Sequence, residues 1–253
     1  MIFLLSLPLF AAPDIPSLHR PTNQSNTYID WTASKLVTRV HNQDQSGQWN
    51  DERRQEQSAL HEAEDLLRAS YPEVPLSDQY QIRHFQVKNP TGVTLGEPKW
   101  HIDETIYYDE GSVEVIASID LFENLNHLVG ALASSDIEQQ KPSEHTGLIV
   151  DARMINFDPI LLPVIYAPDG SPLIHIAALS KSASNKRLPV KYAPDPAHPL
   201  IVRHVGKKAA VVRAISSDSK GFFIHPEDLS KLPSEADLSA IAASGLLAII
   251  IDE

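Results

Sequence analysis

His145 to Ile174 reads HTGLIVDARMINFDPILLPVIYAPDGSPLI, an apolar strand that runs into Asp-Ala-Arg and then into a proline-marked hairpin. Side chains alternate along a strand, so Leu148, Val150, Ala152 and Met154 share one face while Ile149, Asp151 and Arg153 share the other. The first face is wholly apolar; the second ends in an acid and a base. Residues at i and i+2 of a strand stand roughly 6.5–7 Å apart, from two strand rises. Asp151 and Arg153 are therefore expected to share a third partner more easily than to reach each other. ILLPVIY and PLIHIAAL flank Ala167-Pro168-Asp169-Gly170, with proline second and glycine fourth, as a type I turn prefers. Pro163 lacks an N–H, which predicts an edge strand or a bulge.

Before this stretch, SSDIEQQKPSEH (134–145) is polar and patternless, the natural boundary between two units. YIDWTASKLVTRV (28–40) has the β-branched and aromatic content of one strand, bent along its length. Asn50 or Asp51 can cap a helix that runs to about Ser70. In it Leu60, Ala63 and Leu67 share a face with Ala59 and Leu66, and Arg53, Gln57, Glu64 and Arg68 face water. YQIRHFQV (80–87) alternates like a strand, and residues 101–121 read as a hairpin turning near Asp109-Glu110-Gly111, followed by a short helix from Leu125 to Ala133. Beyond the opening stretch, Lys181 to Pro199 reads as a polar, proline-rich loop and AAVVRAI (209–215) as a strand. A helix starts at Pro226, a helical stretch ends at Gly245, and LLAIIID closes the chain as a strand buried on both faces.

Composition narrows the function classes. The chain has 253 residues, 42% of them apolar and 21% charged, an ordinary globular balance. Lys and Arg total 21 against 33 Asp and Glu, a formal charge of −12, and the basic pairs are short and scattered. A phosphate backbone would be repelled, so nucleic acid is not an expected partner. Cysteine is absent, which removes disulfides, thiolate metal sites, cysteine nucleophiles and thioether-linked lipid anchors. The apolar run Ile2 to Phe10, followed by Ala11 and Ala12, has the length of a signal-peptide core and falls short of the roughly 20 apolar residues a spanning helix needs. Export to the periplasm or beyond is the expectation, with no transmembrane segment.

Catalytic signatures are weak. No dinucleotide-type glycine loop, nucleophile elbow or HExxH motif occurs. Ser217-Asp218-Ser219-Lys220 matches SxxK, but Gly221 follows at once and a solvated turn is the better reading. His101 and Asp103 would lie on one strand face as half of a metal site, although one such coincidence is expected among 11 histidines. Asp151 and Arg153, with His145 nearby in sequence, could hold a ligand or act in acid–base chemistry. With no nucleophile or second acid close by, the favoured reading is structural: the pair pins the strand–hairpin junction.

The same stretch resembles a segment of exported bacterial proteins of mostly unknown function, in which an apolar strand reads into Asp-Ala-Arg, a proline-bearing strand and an Asp-Gly turn. YIDWTASKLVTRV…ERRQEQSALHEAEDLLRASYPEVPLSDQ is similar to the strand–helix opening of that group, and LLAIIID to its closing strand. The group is related to outer-membrane lipoproteins of the flagellar-protein-P type and to the N-terminal domain of flagellar assembly protein T. The resemblance implies a non-enzymatic, structural α+β envelope protein that works through surfaces, with a place at the flagellar apparatus. Two positions depart from it. No cysteine is present for acylation, and Met154 stands where glycine often follows Asp-Ala-Arg.

The expectations are an α+β chain of two small units of mixed or antiparallel sheet with packed helices. A signal peptide would occupy 1–12 and a linker 13–26; an N-terminal domain would span 27–135, and a C-terminal domain carrying the Asp-Ala-Arg strand and hairpin 144–253. Envelope proteins or further copies of the chain are the expected partners, with no cofactor. The competing expectation is a small-ligand-binding protein or hydrolase with an interdomain site around Asp151 and Arg153, drawing on His145 or His101.

Overall fold

The computed structural model describes residues 16–42, 52–87, 95–133 and 141–252. The apolar run of the expected leader and the cap expected at Asn50 or Asp51 lie outside the described residues. The fold is α+β, with one five-stranded and one seven-stranded sheet.

The first sheet comprises β1 (His19–Pro21), β2 (Thr27–Asp30) and β3 (Lys35–Asn42), then, after α1 (Glu52–Ser70) and α2 (Arg83–Val87), β4 (His101–Tyr107) and β5 (Val113–Asp120). Its order is β1-β2-β3-β5-β4, antiparallel throughout. The bent strand expected over 28–40 is a hairpin. Asp30 Oδ1 accepts the Ala33 N–H at 2.8 Å and Ser34 takes φ +63°, which together fold the chain back on itself. The stretch read as a linker joins the structure from residue 18 onward. Leu18 is fully buried, donates its N–H to Thr32 Oγ1 at 2.9 Å, and leads into the edge strand β1.

α1 buries Ala59, Ala63 and Leu67 completely against β3 and β5, as its 3.6-residue periodicity requires. Residues 80–87, which read as a strand, instead form α2 after a single bridge between Pro75 and Gln81. Ile82 and Phe85, three residues apart, both face the core, which is helical rather than strand spacing. The β4–β5 hairpin turns as expected, with Gly111 at φ +84°. α3 (Leu121–Leu132) begins four residues earlier than expected, because Asp120 caps it by accepting the Glu123 N–H at 2.9 Å.

The second sheet contains β6 (Leu148–Asp151), β7 (Val164–Tyr166) and β8 (Pro172–Ile174). After α4 (Lys181–Ser184) come β9 (Val190–Ala193), α5 (Pro199–Val205), β10 (Ala210–Asp218) and β11 (Gly221–Ile224), and finally α6 (Glu235–Ser244) and β12 (Leu247–Ile250). The order is β8-β7-β11-β10-β6-β12-β9. β10, β6, β12 and β9 run parallel, so Arg213, midway along β10, and the strand ends Asp151, Ile250 and Ala193 lie in one row. β9 sits inside the segment read as a loop: Val190, Tyr192 and Ala193 are buried because β12 needs a partner on its open side. Pro163 stands just before β7, an interior strand, so its missing N–H removes no ladder bond. Pro226 opens a 3-10 turn to Lys231 and Gly245 closes α6 at φ +62°. β12 is buried along its whole length, as its unbroken apolar sequence predicts.

Buried residues of both sheets form one contiguous cluster, from Leu36 and Val115 through Tyr192 to Val150 and Ile249. Polar ties cross the same boundary. Lys191 Nζ donates to Thr32 O and Ser34 Oγ, both at 3.0 Å, and the Leu162 N–H reaches Leu76 O at 2.8 Å. No described helix is long and apolar enough to cross a membrane.

Candidate interaction surface

The Asp-Ala-Arg stretch departs from an extended chain at one point, and that point decides its chemistry. β6 stops at Asp151, and the Ala152 N–H bonds Ile250 O at 2.8 Å before the chain turns. Arg153 therefore folds back over Asp151. Its Nε reaches Oδ1 at 2.9 Å, its Nη2 reaches Oδ2 at 2.6 Å, and its own N–H reaches Oδ1 at 3.3 Å. This corrects the expectation that the two would share a third partner: the spacing argument assumed a strand through Met154, whereas the turn brings the side chains together as a bidentate pair. The Arg153 guanidinium beside Asp151 holds its carboxyl below the usual carboxylate range. A carboxylate so paired has no proton to give at neutral pH.

Met154 completes the turn at φ +73°, a conformation costing a non-glycine residue about 1 kcal/mol. Glycine would adopt it freely. The Met154 N–H is held by Asp252 Oδ2 at 2.7 Å, while the side chain is 94% exposed. A strained backbone that presents a bare thioether to water is a feature of contact surfaces rather than of packing.

The neighbouring strand extends this surface. α5 covers one half of the sheet face, over β9 and β12, burying Ile149, Ala193, Ile201, Val205, Ala248 and Ile250. The other half, over β10, has no α-helix among the described residues, and only the 3-10 turn Pro226–Lys231 meets it, at Arg213. Val211 and Ile215 are about half exposed there, with Arg213 between them and Leu229 nearby at 46% exposure. Arg213 is held by Asp228, Nε to Oδ2 at 2.9 Å and Nη2 to Oδ1 at 3.0 Å, and by Glu227 at 3.1 Å. Asp228 is buried and also meets Lys231, so the cations around it hold its carboxyl well below the usual range.

His145 lies elsewhere. Its ring is half-buried with Nδ1 unpaired among the described residues, and its ligand atom, with those of Glu144 and Asp237, falls within a 4.8 Å cluster. Asp237 does not need a cation. It accepts the N–H groups of Ser143 (2.6 Å), Glu144 (2.9 Å) and His145 (3.4 Å) and the Ser143 hydroxyl (3.0 Å). Those backbone donors hold its carboxyl down at about 2. This carboxylate, three residues into α6, fastens the loop before β6. Nothing singled it out in the sequence beyond the Ser234-x-x-Asp237 capping pattern. His101 pairs with Glu123 at 3.1 Å and Asp103 with Lys35 at 2.9 Å, separated by an irregularity in β4 between Ile102 and Glu104. Among the described residues no contact joins His101, Asp103 or His145 to Asp151 and Arg153. Ser217 to Lys220 is the polar β10–β11 turn, closed by Asp218 Oδ1 on the Lys220 and Gly221 N–H groups.

Because Arg153 is about half exposed, Arg153→Ala should cost less than about 1 kcal/mol, read by urea unfolding. A larger loss would mean that the pair is a structural pin of the junction.

The chain's second half is similar to a known family. A family model described as Treponema pallidum Tp0624, second domain, matches residues 147–253. No curated protein matches the chain. The matched span begins one residue before β6 and contains every strand of the seven-stranded sheet, the uncovered β10 face included.

Proposed function

We propose that this protein is a non-enzymatic, extracytoplasmic structural component of the cell envelope that docks to partners or to further copies of itself through the uncovered face of β10. The observation that carries the reading is the row Val211, Arg213 and Ile215, left bare beside a half of the same sheet face that α5 buries. Apolar side chains flanking an immobilised arginine, with an exposed Met154 at the end of the adjoining strand, suit the rim and anchor of a protein contact. The engaged Asp151 carboxylate supports a surface role over hydrolysis at this turn. The resemblance to flagellar envelope proteins makes the flagellar apparatus the first place to look for the partner.

Sedimentation velocity of the chain over a range of concentrations, with crosslinked recovery from envelope fractions, tests this reading. Self-association, or motor-ring or outer-membrane components recovered in fixed ratio, is expected. Either should be lost in a Val211→Glu, Ile215→Glu variant with an unchanged unfolding temperature. A partnerless monomer at every concentration removes the proposal.

A further inference from the structure

The basic pairs Lys186-Arg187 and Lys207-Lys208 are separated in sequence by β9 and α5, and the fold brings them together. Arg187 Nη1 donates to His204 O at 3.2 Å, which ties the loop after α4 to the last turn of α5. Gly206, at φ +81°, then turns the chain, and Lys207 and Lys208 follow. Their backbone is pinned: Lys208 donates its N–H to Thr146 Oγ1 and accepts the Thr146 N–H, both at 3.1 Å. Arg203, Lys207 and Lys208 are exposed, and Arg187 is half-buried.

The charge gathered there is not neutralised. Ion pairs occupy Lys35, Arg68, Arg153, Arg213 and Lys231, whereas no carboxylate meets Arg187, Arg203, Lys207 or Lys208 among the described residues. Composition supplies the reason. Lys181 to Lys208 holds seven Lys and Arg and a single acid, Asp195, a formal +6 within a chain of −12. Val190, Leu247, Leu148 and Ala210 begin their strands in one row, so Arg187, Lys207 and Lys208 stand at the end where the parallel strands start. Asp151, Asp195 and Asp252 stand at the opposite end, roughly 10 Å away along the strands. That exceeds the roughly 8 Å over which exposed charges act at physiological salt. At the near end Asp237 is buried and occupied by backbone donors, which leaves Glu144 as the exposed acid of that cluster.

A positive end on an acidic chain selects its partner by shape. A nucleic acid held by its phosphates would run on past the patch and meet the acidic remainder, which repels it. A plane touches one end only and leaves that remainder in solvent, screened by salt. We infer that this end docks the protein peripherally on an anionic phospholipid surface, with Arg187, Arg203, Lys207 and Lys208 on the headgroup phosphates. Each Lys or Arg brought close to such a surface favours binding by about fivefold. The inference does not rest on contacts made by the bare face of β10.

The test sediments the full chain with phosphatidylcholine vesicles, with and without phosphatidylglycerol, and reads the binding that phosphatidylglycerol adds. A gain is expected at low salt and should vanish at high salt. The Lys207→Glu, Lys208→Glu variant should cut the gain about tenfold or more with an unchanged unfolding temperature. Arg53→Glu, Arg54→Glu, at exposed positions of α1, changes the net charge equally and should leave most of the gain in place. No gain at low salt, an equal loss in both variants, or capture of polyglutamate or a DNA duplex in preference to the vesicles would overturn the inference.

Discussion

Gly221→Ala is expected to be the most damaging small substitution in the second sheet, costing about 3 kcal/mol or more in urea unfolding. Gly221 opens β11 and pairs with Val164 of β7. A methyl group there would lie 1.7 Å from the Val164 carbonyl oxygen and 2.8 Å from its nitrogen. Backbone cannot swing aside as a side-chain tip can, so β7 and β11 must separate. Two ring contacts would be disturbed with them: Phe223 stacked on Tyr166 at 4.8 Å and Phe222 tilted against Phe157 at 4.3 Å. Gly170→Ala is the comparison. Its added methyl meets nothing within 4 Å, and only the φ of +85° opposes it, at a cost of about 1 kcal/mol. If Gly170→Ala proves the costlier of the two, the close approach of β7 and β11 is wrong.

Between pH 7 and pH 5 the chain should lose about 2 kcal/mol of stability through one side chain, His204, at 1.36 kcal/mol per pH unit. His204 lies on α5 with 7% exposure and a buried Nε2 that has no partner among the described residues. Burial pushes its imidazole down to about 3, the nearby Lys191 and Arg187 cations add to the effect, and a hydrogen bond to the Leu247 backbone opposes it only in part. Its place near the helix C-terminus favours the cation by about 1 kcal/mol at most, too little to offset that burial. The native state therefore stays neutral while the unfolded chain takes up a proton below its ordinary value of about 6.5. Stability is fully present above that value and is lost as pH falls toward 3. The depressed carboxyls of Asp151, Asp228 and Asp237 act in the same direction, but their contribution is lost only below about pH 4, where free aspartates protonate. The window from 7 to 5 thus separates the imidazole from these aspartates. His204→Leu should flatten the slope of urea stability against pH there; an unchanged slope would place the titrating group elsewhere.

Patterns that act over a few residues are legible in the amino-acid sequence. The repeat of Ala59, Ala63 and Leu67 marks α1, the Asp-Glu-Gly tip marks the β4–β5 hairpin, and Pro226 and Gly245 mark where helical segments begin and end. These are local effects: side-chain periodicity, fixed proline φ and glycine at positive φ depend on nearest neighbours along the chain. The same locality explains where such patterns mislead. Tyr80 to Val87 alternates well enough to look extended, and only the core that takes both Ile82 and Phe85 makes it helical.

What the amino-acid sequence determined by itself was the α+β class, the cysteine-free and acidic character, and the local markers of α1, the β4–β5 hairpin and the closing strand. The tertiary structure alone decided who pairs with whom. Val190–Ala193 becomes a strand because β12, at the far end of the chain, offers it an edge, and Leu148 meets both Ala210 and Leu247. It also decided the chemistry of the sites. Asp151 and Arg153 join because β6 ends earlier than its apolar alternation implies, and Arg187 reaches the end of α5, next to Lys207 and Lys208, only when β9 and β10 take their places in one sheet. The physical reason is common to all of these. Closing long loops is decided by apolar burial summed over the whole chain, a quantity no local window of sequence contains.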